Sequence, residues 1–320
     1  MSDLQRTPFV GPGESAAQER PADKISFDFR AMLHQVEALL DKQIFFVGGV
    51  EKSGTSWLQR LLDLHPEVTC TGEDHLGESL FPAIRTALET RNKFSLEGTR
   101  NPLRYEMSEG IQVHDSRDLL YLFTSAIALL LLKPTGKSPK AIGERSAHNV
   151  YHFEHFAVLL PGIKCIHIVR DPRDVAVSQW HHIQLWAPPD HPIRSRSKSA
   201  VAEEYATVWT AALARGVQFG QRNPERYFEL RYEDLIERTA PTLSPMFRFL
   251  GVDDSLEVAQ RCADAASFEK LTGGRARGQE DTRSFFRKGA VGDWKNHLDA
   301  KTNAAVIARA GPMMRRFGYL

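Results

Sequence analysis

The chain has 320 residues, 42% hydrophobic and 25% charged, enough apolar material for one sizeable core and ordinary for a single α/β enzyme domain. Its 41 basic and 40 acidic residues leave a formal net charge of +1, which gives no overall footprint for nucleic acid. Cys70, Cys165 and Cys262 are far apart and lack C-x-x-C or zinc spacing, so neither a disulfide framework nor a metal site is expected, and a reducing, cytoplasmic setting is the simpler one.

Residues 1–24 are polar, contain Gly and Pro, and lack the apolar centre of a signal peptide; they are expected to be a flexible leader to a domain spanning 25–320. An opening helix is predicted near Asp28 to Leu40. Ile44, Phe45, Phe46 and Val47 then form the short apolar run of a buried strand, and Trp57, Leu58, Leu61, Leu62 and His65 recur at helical spacing. Val68 to Cys70 reads as a short second strand and Leu76 to Thr90 as helix, followed by a polar stretch to Ser116. The longest apolar run, Leu119 to Leu132, is interrupted by Thr124 and Ser125; it is too short to span a bilayer and is expected to be a buried helix. Ala141 to Gly143 is a candidate strand, His148 to Leu160 a helix, and Ile163 to Val169 a strand holding Cys165 as a core thiol. Asp171-Pro172 breaks that strand, and Asp174 is the expected N-cap of the next helix. A loop over Ala187 to Lys198, a long helix to about Arg222, a strand ending at Tyr232 and a helix to about Leu250 complete the pattern. Such alternation predicts a single α/β domain with a central parallel β-sheet flanked by helices.

Between the first strand and its helix lies GGVEKSGTSW. Gly48 and Gly49 offer backbone geometries closed to other residues, and Gly54 offers close approach of the main chain to a ligand. A turn of this kind aims successive N–H groups and a helix N-terminus at one anion. A Walker A loop places lysine directly after its second glycine, whereas here Thr55 holds that position and Lys52 precedes Gly54. The relocation argues against a nucleoside triphosphatase.

EKSGTSW resembles the 5′-phosphosulfate loop of the sulfotransferase family, a lysine or arginine followed by S-G-T-[TS]. The resemblance implies a P-loop-containing nucleotide-binding fold and the donor 3′-phosphoadenosine 5′-phosphosulfate, PAPS, held at this loop by Lys52, Ser53, Gly54, Thr55 and Ser56. Three further segments are similar to the family pattern. In IHIVRDPRDVAVSQW, Arg170 and Ser178 match the motif for the 3′-phosphate, and a guanidinium fork with a hydroxyl suits a phosphomonoester. The competing reading makes Arg170 an ion-pair partner of Asp174. FFRKGAVGDWKNHL resembles the R-K-G-x-x-G-D-W segment of cytosolic-type sulfotransferases, which implies that Arg287, Lys288 and Gly289 close over the same phosphate. YFELRYEDL resembles the family strand ending in Y-E-D, which places Tyr232 near the adenine; Trp57 and Phe268 are the other aromatic candidates for it. Arg275, Arg277 and Arg283 extend the local basic cluster, with a solvated loop face as their alternative role.

Sulfuryl transfer requires a base for the acceptor proton and positive charge near the leaving phosphate. Lys52 is the expected electrostatic partner. HPEVTCTGEDHL resembles a G-E-[ED] region whose carboxylate acts as base, which offers Glu73 or Asp74. GERSAHNV resembles a bacterial G-E-K-[ST]-P segment; Arg145 replaces the lysine as a charge stabiliser, and His148 is the alternative base. The family pattern implies no metal. The acceptor remains open among small molecules, glycans and lipids, with the segments around 91–115 and 187–198 as its expected binding elements, and no transmembrane segment or nucleic-acid partner is expected. Two other classes share parts of the pattern: a P-loop kinase or other nucleotide-dependent phosphotransferase, and a non-catalytic module for an anionic ligand.

Overall fold

Strand β1 (Gln43–Gly49) sends its side chains alternately into two separate cores. Ile44 and Phe46 enter one and Phe45 and Val47 the other, so the strand lies in a sheet covered on both faces, as parallel strands joined by helices do. The computed structural model describes residues 29–99, 113–131, 136–160 and 162–320; the expected leader, 1–24, lies outside the described residues.

Helix α1 (Phe29–Leu40) precedes β1, and α2 (Thr55–Asp63) leads from it to β2 (Val68–Gly72). A π turn, Leu76–Leu80, opens α3 (Phe81–Thr99), and α4 (Ser116–Leu131) returns the chain to β3 (Ala141–Arg145). A 3₁₀ turn, Ala147–Tyr151, and α5 (Phe153–Leu159) connect to β4 (Lys164–Val169). Then come α6 (Pro172–Trp186), α7 (Lys198–Arg222), β5 (Tyr227–Arg231), α8 (Tyr232–Glu237), α9 (Thr239–Leu250), α10 (Leu256–Ala265), α11 (Phe268–Thr272) and α12 (Ala300–Arg316). The five strands are parallel in the order β2-β3-β1-β4-β5. One face is packed by Phe123 of α4, Phe156 of α5, Trp209 of α7 and Met314 of α12; the other by Leu58 of α2, Phe247 of α9 and Val258 of α10. Phe46 and Phe156 stack with ring centroids 4.1 Å apart, and each such fully buried side chain stabilises the fold by roughly 1.5–3 kcal/mol.

Several boundaries differ from those the sequence predicts. Helix α3 runs on to Thr99, so residues 91–99 are helical instead of an acceptor loop; no breaker precedes Gly98, and Lys93 and Glu97 pair at i,i+4. The remainder of that polar stretch, 100–112, lies outside the described residues. The helix expected from His148 begins as a 3₁₀ turn because Asn149 directs its side chain back to Val47 O, 3.1 Å away, and to Glu144 Oε2, 2.7 Å away. The N-cap of α6 is Asp171, not Asp174: Asp171 Oδ1 accepts from Arg173 N at 2.9 Å, with Pro172 in the first helical turn. Tyr232 opens α8 beyond the end of β5, and the helix expected to follow is two, α8 and α9, parted at Arg238. All three cysteines are buried and free. Among the described residues no helix is long and apolar enough to cross a membrane.

Candidate active site

The chain leaves β1 to lay β2 and β3 on one side of it, then crosses to place β4 and β5 on the other. That makes the carboxyl end of β1 a topological switch point, where open α/β sheets bind ligands. A cavity of about 370 Å³ lies there, and the carboxyl end of every strand reaches it: Lys52 after β1, Glu73 after β2, Ala147 after β3, Arg170 after β4 and Tyr232 after β5.

The loop between β1 and α2 forms one end of the cavity. Gly54 caps α2 with φ 98°, a left-handed conformation, and a Cβ there would lie 2.5 Å from Cδ2 of Tyr232. Glycine is therefore required both by the turn and by the aromatic packed on it. Gly48 and Gly49, in contrast, have no positive φ; a Cβ on them would meet Val150 N at 2.5 Å and Ile168 O at 2.6 Å, so close packing is their reason. Lys52 is itself left-handed, φ 68°, and its carbonyl accepts from Arg170 Nη1 at 2.9 Å, which ties the loop to the end of β4. Burial pushes the Lys52 ammonium down to about 8, against the pull of Glu51 and with the push of Arg170. Its Nζ lies 4.6 Å from the centroid of Phe285.

Arg170 lines the cavity beside the loop. Its guanidinium stacks 4.4 Å from the Tyr232 ring and serves the loop, so it does not pair with Asp174. Asp174 instead accepts from Gly292 N at 2.7 Å and Trp294 N at 2.9 Å, fastening the segment 285–298 to α6. Within that segment Asp293 gathers Arg287 at 2.7 Å, Lys288 at 2.5 Å, Asn296 at 3.0 Å and His297 at 3.1 Å. Burial alone would raise the Asp293 carboxyl, but hydrogen bonds from Lys288, Arg287 and Asn296 hold it well below the carboxylate range. Both cations thus reach the cavity wall already oriented. Gly289 has φ 63°, and a Cβ on it would lie 2.6 Å from Phe268, so what its bare backbone meets is that ring. Trp57 donates Nε1–H to Ala266 O at 2.9 Å and meets Tyr232 edge-on, with centroids 6.1 Å apart.

Three polar atoms here are buried without a hydrogen-bond partner among the described residues: the donors Ser53 Oγ and Arg170 Nε, and the acceptor Gln179 Oε1. Leaving such a group unmet costs about 1–3 kcal/mol. The two donors fit a site whose hydrogen bonds are completed by an anion.

The third wall follows β2. Glu73 is left-handed, φ 55°, its side chain 56% exposed, and its carboxylate pairs with Arg145. Arg145 is in turn held by Gln59 Oε1, 2.8 Å from Nη2. Asp74 faces away from the cavity: its Oδ2 accepts from Thr71 Oγ1 at 3.1 Å, and its N–H donates to Glu144 Oε1 at 3.1 Å. Burial raises Glu144 to about 7 in spite of the hydrogen bonds from Asn149 and Asp74.

The family description "Sulfotransferase domain" matches residues 41–318. The chain belongs to this family. Among its relatives, cytosolic sulfotransferase 17 of Arabidopsis thaliana is 24% identical over 306 residues, covering 85% of this chain and 84% of the relative. Cytosolic sulfotransferase 1 of the same plant is 27% identical over 247 residues, 69% and 70% of the two chains. A mouse sulfotransferase crystallised with PAP superposes with a TM-score of 0.53 at 20% identity, covering 89% of this chain and 90% of the other, which supports a shared fold. Membership of the sulfotransferase family does not favour the kinase alternative, in keeping with Thr55 where a Walker A lysine would stand.

In this sulfotransferase the donor-site residues expected from sequence converge. Lys52, Gly54, Thr55, Ser56 and Trp57 line the cavity from the loop side. Arg170, Ser178, Tyr232, Phe268 and the run Arg287, Lys288 and Gly289 line it from the other sides, while Ser53 is buried just behind the loop. Glu73 also lines it; Arg145 stands behind Glu73, and Asp74 and His148 do not reach it. His148 points instead at Glu51 and Glu78. Arg277, weighed as a solvated cation, lines the cavity 5.3 Å from the Trp57 ring, whereas Arg275 donates to Gln279 O at 2.8 Å and lies over Phe268, and Arg283 is exposed. Sequence reasoning missed His182 and Phe285. His182 stands four residues after Ser178 on α6, a helical spacing that would have placed both on one face.

Proposed function

We propose that this sulfotransferase moves the sulfuryl group of PAPS to a hydroxyl or amine of a small-molecule acceptor. The observation that carries the reading is one cavity lined by cations from three elements of the chain, Lys52 of the loop after β1, Arg170 after β4, and Arg287 with Lys288 of the segment near the carboxyl terminus, together with the rings of Trp57, Tyr232 and Phe268. A nucleotide phosphorylated at both its 5′ and 3′ positions suits such a lining. The orphaned Ser53 Oγ and Arg170 Nε support it further.

In the reaction the acceptor oxygen or nitrogen attacks sulfur in line, its new bond to sulfur forming as the sulfur–oxygen bond to the 5′-phosphate breaks. Glu73 takes the acceptor proton, held in place by its ion pair with Arg145. Lys52 meets the charge that gathers on the leaving phosphate. Asp74 is engaged with Thr71, and His148 faces away from the cavity, so Glu73 is the better-placed base. Phe285 and His182, on the wall beside Lys52, favour an acceptor with an apolar body over a glycan.

Calorimetry and turnover together test these roles. Arg170→Ala is expected to weaken PAP, the desulfated product, by tenfold or more, while leaving a nucleotide without the 3′-phosphate little affected; equal losses would sink the assignment. Glu73→Gln should keep PAP affinity and lose about 10²–10⁴ in turnover.

A further inference from the structure

The turn after Glu73 carries side chains that sulfuryl transfer leaves unused. His75 Nδ1 lies 2.9 Å from Glu78 Oε2, the other oxygen of Glu78 meets His148 Nδ1, and one ligand atom from each of the three lies within 4.8 Å of the rest. His75 and Glu78 are set by the π turn Leu76–Leu80, and His148 comes from the 3₁₀ turn beyond β3, so the fold assembles the group from two elements. An ion pair with Glu78 needs only one histidine. Behind His148, moreover, Glu51 Oε1 stands 3.5 Å from Nε2, and the second oxygen of Glu51 accepts from Tyr205 OH at 3.1 Å. A carboxylate behind a histidine takes one ring N–H and leaves the other nitrogen free to ligate, the outer arrangement that metal-binding histidines use.

We propose that His75, Glu78 and His148 bind a divalent transition-metal ion, zinc by ligand type, with Glu51 as the outer carboxylate of His148. Two imidazole nitrogens and one carboxylate are the ligand set of an open zinc site, with ligand distances of about 2.0–2.2 Å. Ligands so arranged stand about 3.4 Å apart, and rotation of the exposed His75 side chain supplies the closure needed. Magnesium and calcium prefer oxygen ligands and are poorly served by this set. The bound ion joins the π turn beyond Glu73 to the element that carries His148, and through Glu51 to the loop of Lys52. None of the three ligands belongs to the donor site, so the inference stands independently of the donor.

The test uses the full chain, freed of metal with a chelator and titrated with Zn²⁺ alone and with Co²⁺ alone. Expected are one ion per chain, a melting temperature raised by Zn²⁺ and restored by chelator, and visible Co²⁺ absorption of four- or five-coordinate strength. His75→Ala and the isosteric Glu78→Gln should each weaken binding tenfold or more, while His34→Ala, on exposed α1, should leave it unchanged. The metal-free melting temperature of each variant reports its fold. Absence of saturable binding, or wild-type affinity and Co²⁺ spectrum in both His75→Ala and Glu78→Gln, would overturn the site.

Discussion

Lys52 shows how one side chain can make the site answer to pH. Its ammonium is brought down from 10.5 to about 8 by burial, so near pH 8 a large share of the free protein holds it neutral. A dianion placed beside it favours the charged form and raises that value again. The Lys52 contribution to PAP affinity is therefore full below pH 8 and declines as pH rises through the free-state value, and binding takes up protons in that window. Calorimetry in two buffers of different ionisation enthalpy checks this: near pH 8.5, where the phosphates of free PAP are already dianionic, a measurable fraction of a proton should be absorbed. Lys52→Arg, which stays charged, should bind PAP without that uptake. Identical proton uptake in Lys52→Arg would assign the proton to another group. The place of Lys52 at the cavity was legible because its position relative to Gly54 differs from that of a Walker lysine within one short segment. The surroundings of His182 and His148 were not, since they depend on what other parts of the chain bring beside them.

Among the elements, the segment from Phe285 to Leu298 shows most clearly what a sequence motif does and does not state. Its two cations were expected from sequence as ligand groups, and both line the cavity. The Gly-Asp-Trp that follows turns out to be the fastening: Asp293 holds both cations, and the amides of Gly292 and Trp294 bind Asp174 of α6. The sequence assigned Gly289 to a phosphate, yet the close contact is with Phe268, because no local pattern records which ring will fold onto a glycine. A pair of substitutions separates the two demands on such a residue. Gly292 shares the left-handed conformation, φ 75°, but a Cβ there has open space, whereas one at Gly289 meets Phe268 at 2.6 Å. Gly292→Ala should therefore cost the conformational part alone, about 1–2 kcal/mol. Gly289→Ala should cost that and the displacement of Phe268 as well, with a larger fall in melting temperature and a loss of PAP affinity absent from Gly292→Ala. Equal effects on both readouts would mean that the ring yields freely and does not shape the donor site.

At the scale of the whole molecule, the alternation of strands and helices was legible because the central strands β1 and β4 are buried on both faces and read as apolar runs. The order β2-β3-β1-β4-β5 was not legible, since parallel neighbours are chosen by crossover connections that carry no local signal. That order is what brings five strand ends and a segment near the carboxyl terminus to one cavity, so a ligand there braces elements from residue 51 to residue 290. Ligand binding should then register as stability of the domain as a unit. At PAP one hundred times its dissociation constant the gain is about 2.7 kcal/mol. At roughly 2–4 °C per kcal/mol for a domain of this size, the melting temperature should rise by about 5–11 °C in a single transition. ATP at the same concentration, with or without Mg²⁺, should give a smaller shift, because it lacks the 3′-phosphate proposed for Arg170 and finds Thr55 where a Walker lysine would serve its phosphates. A Mg²⁺-dependent shift with ATP that exceeds the shift with PAP would overturn the donor assignment and return the cavity to phosphoryl chemistry.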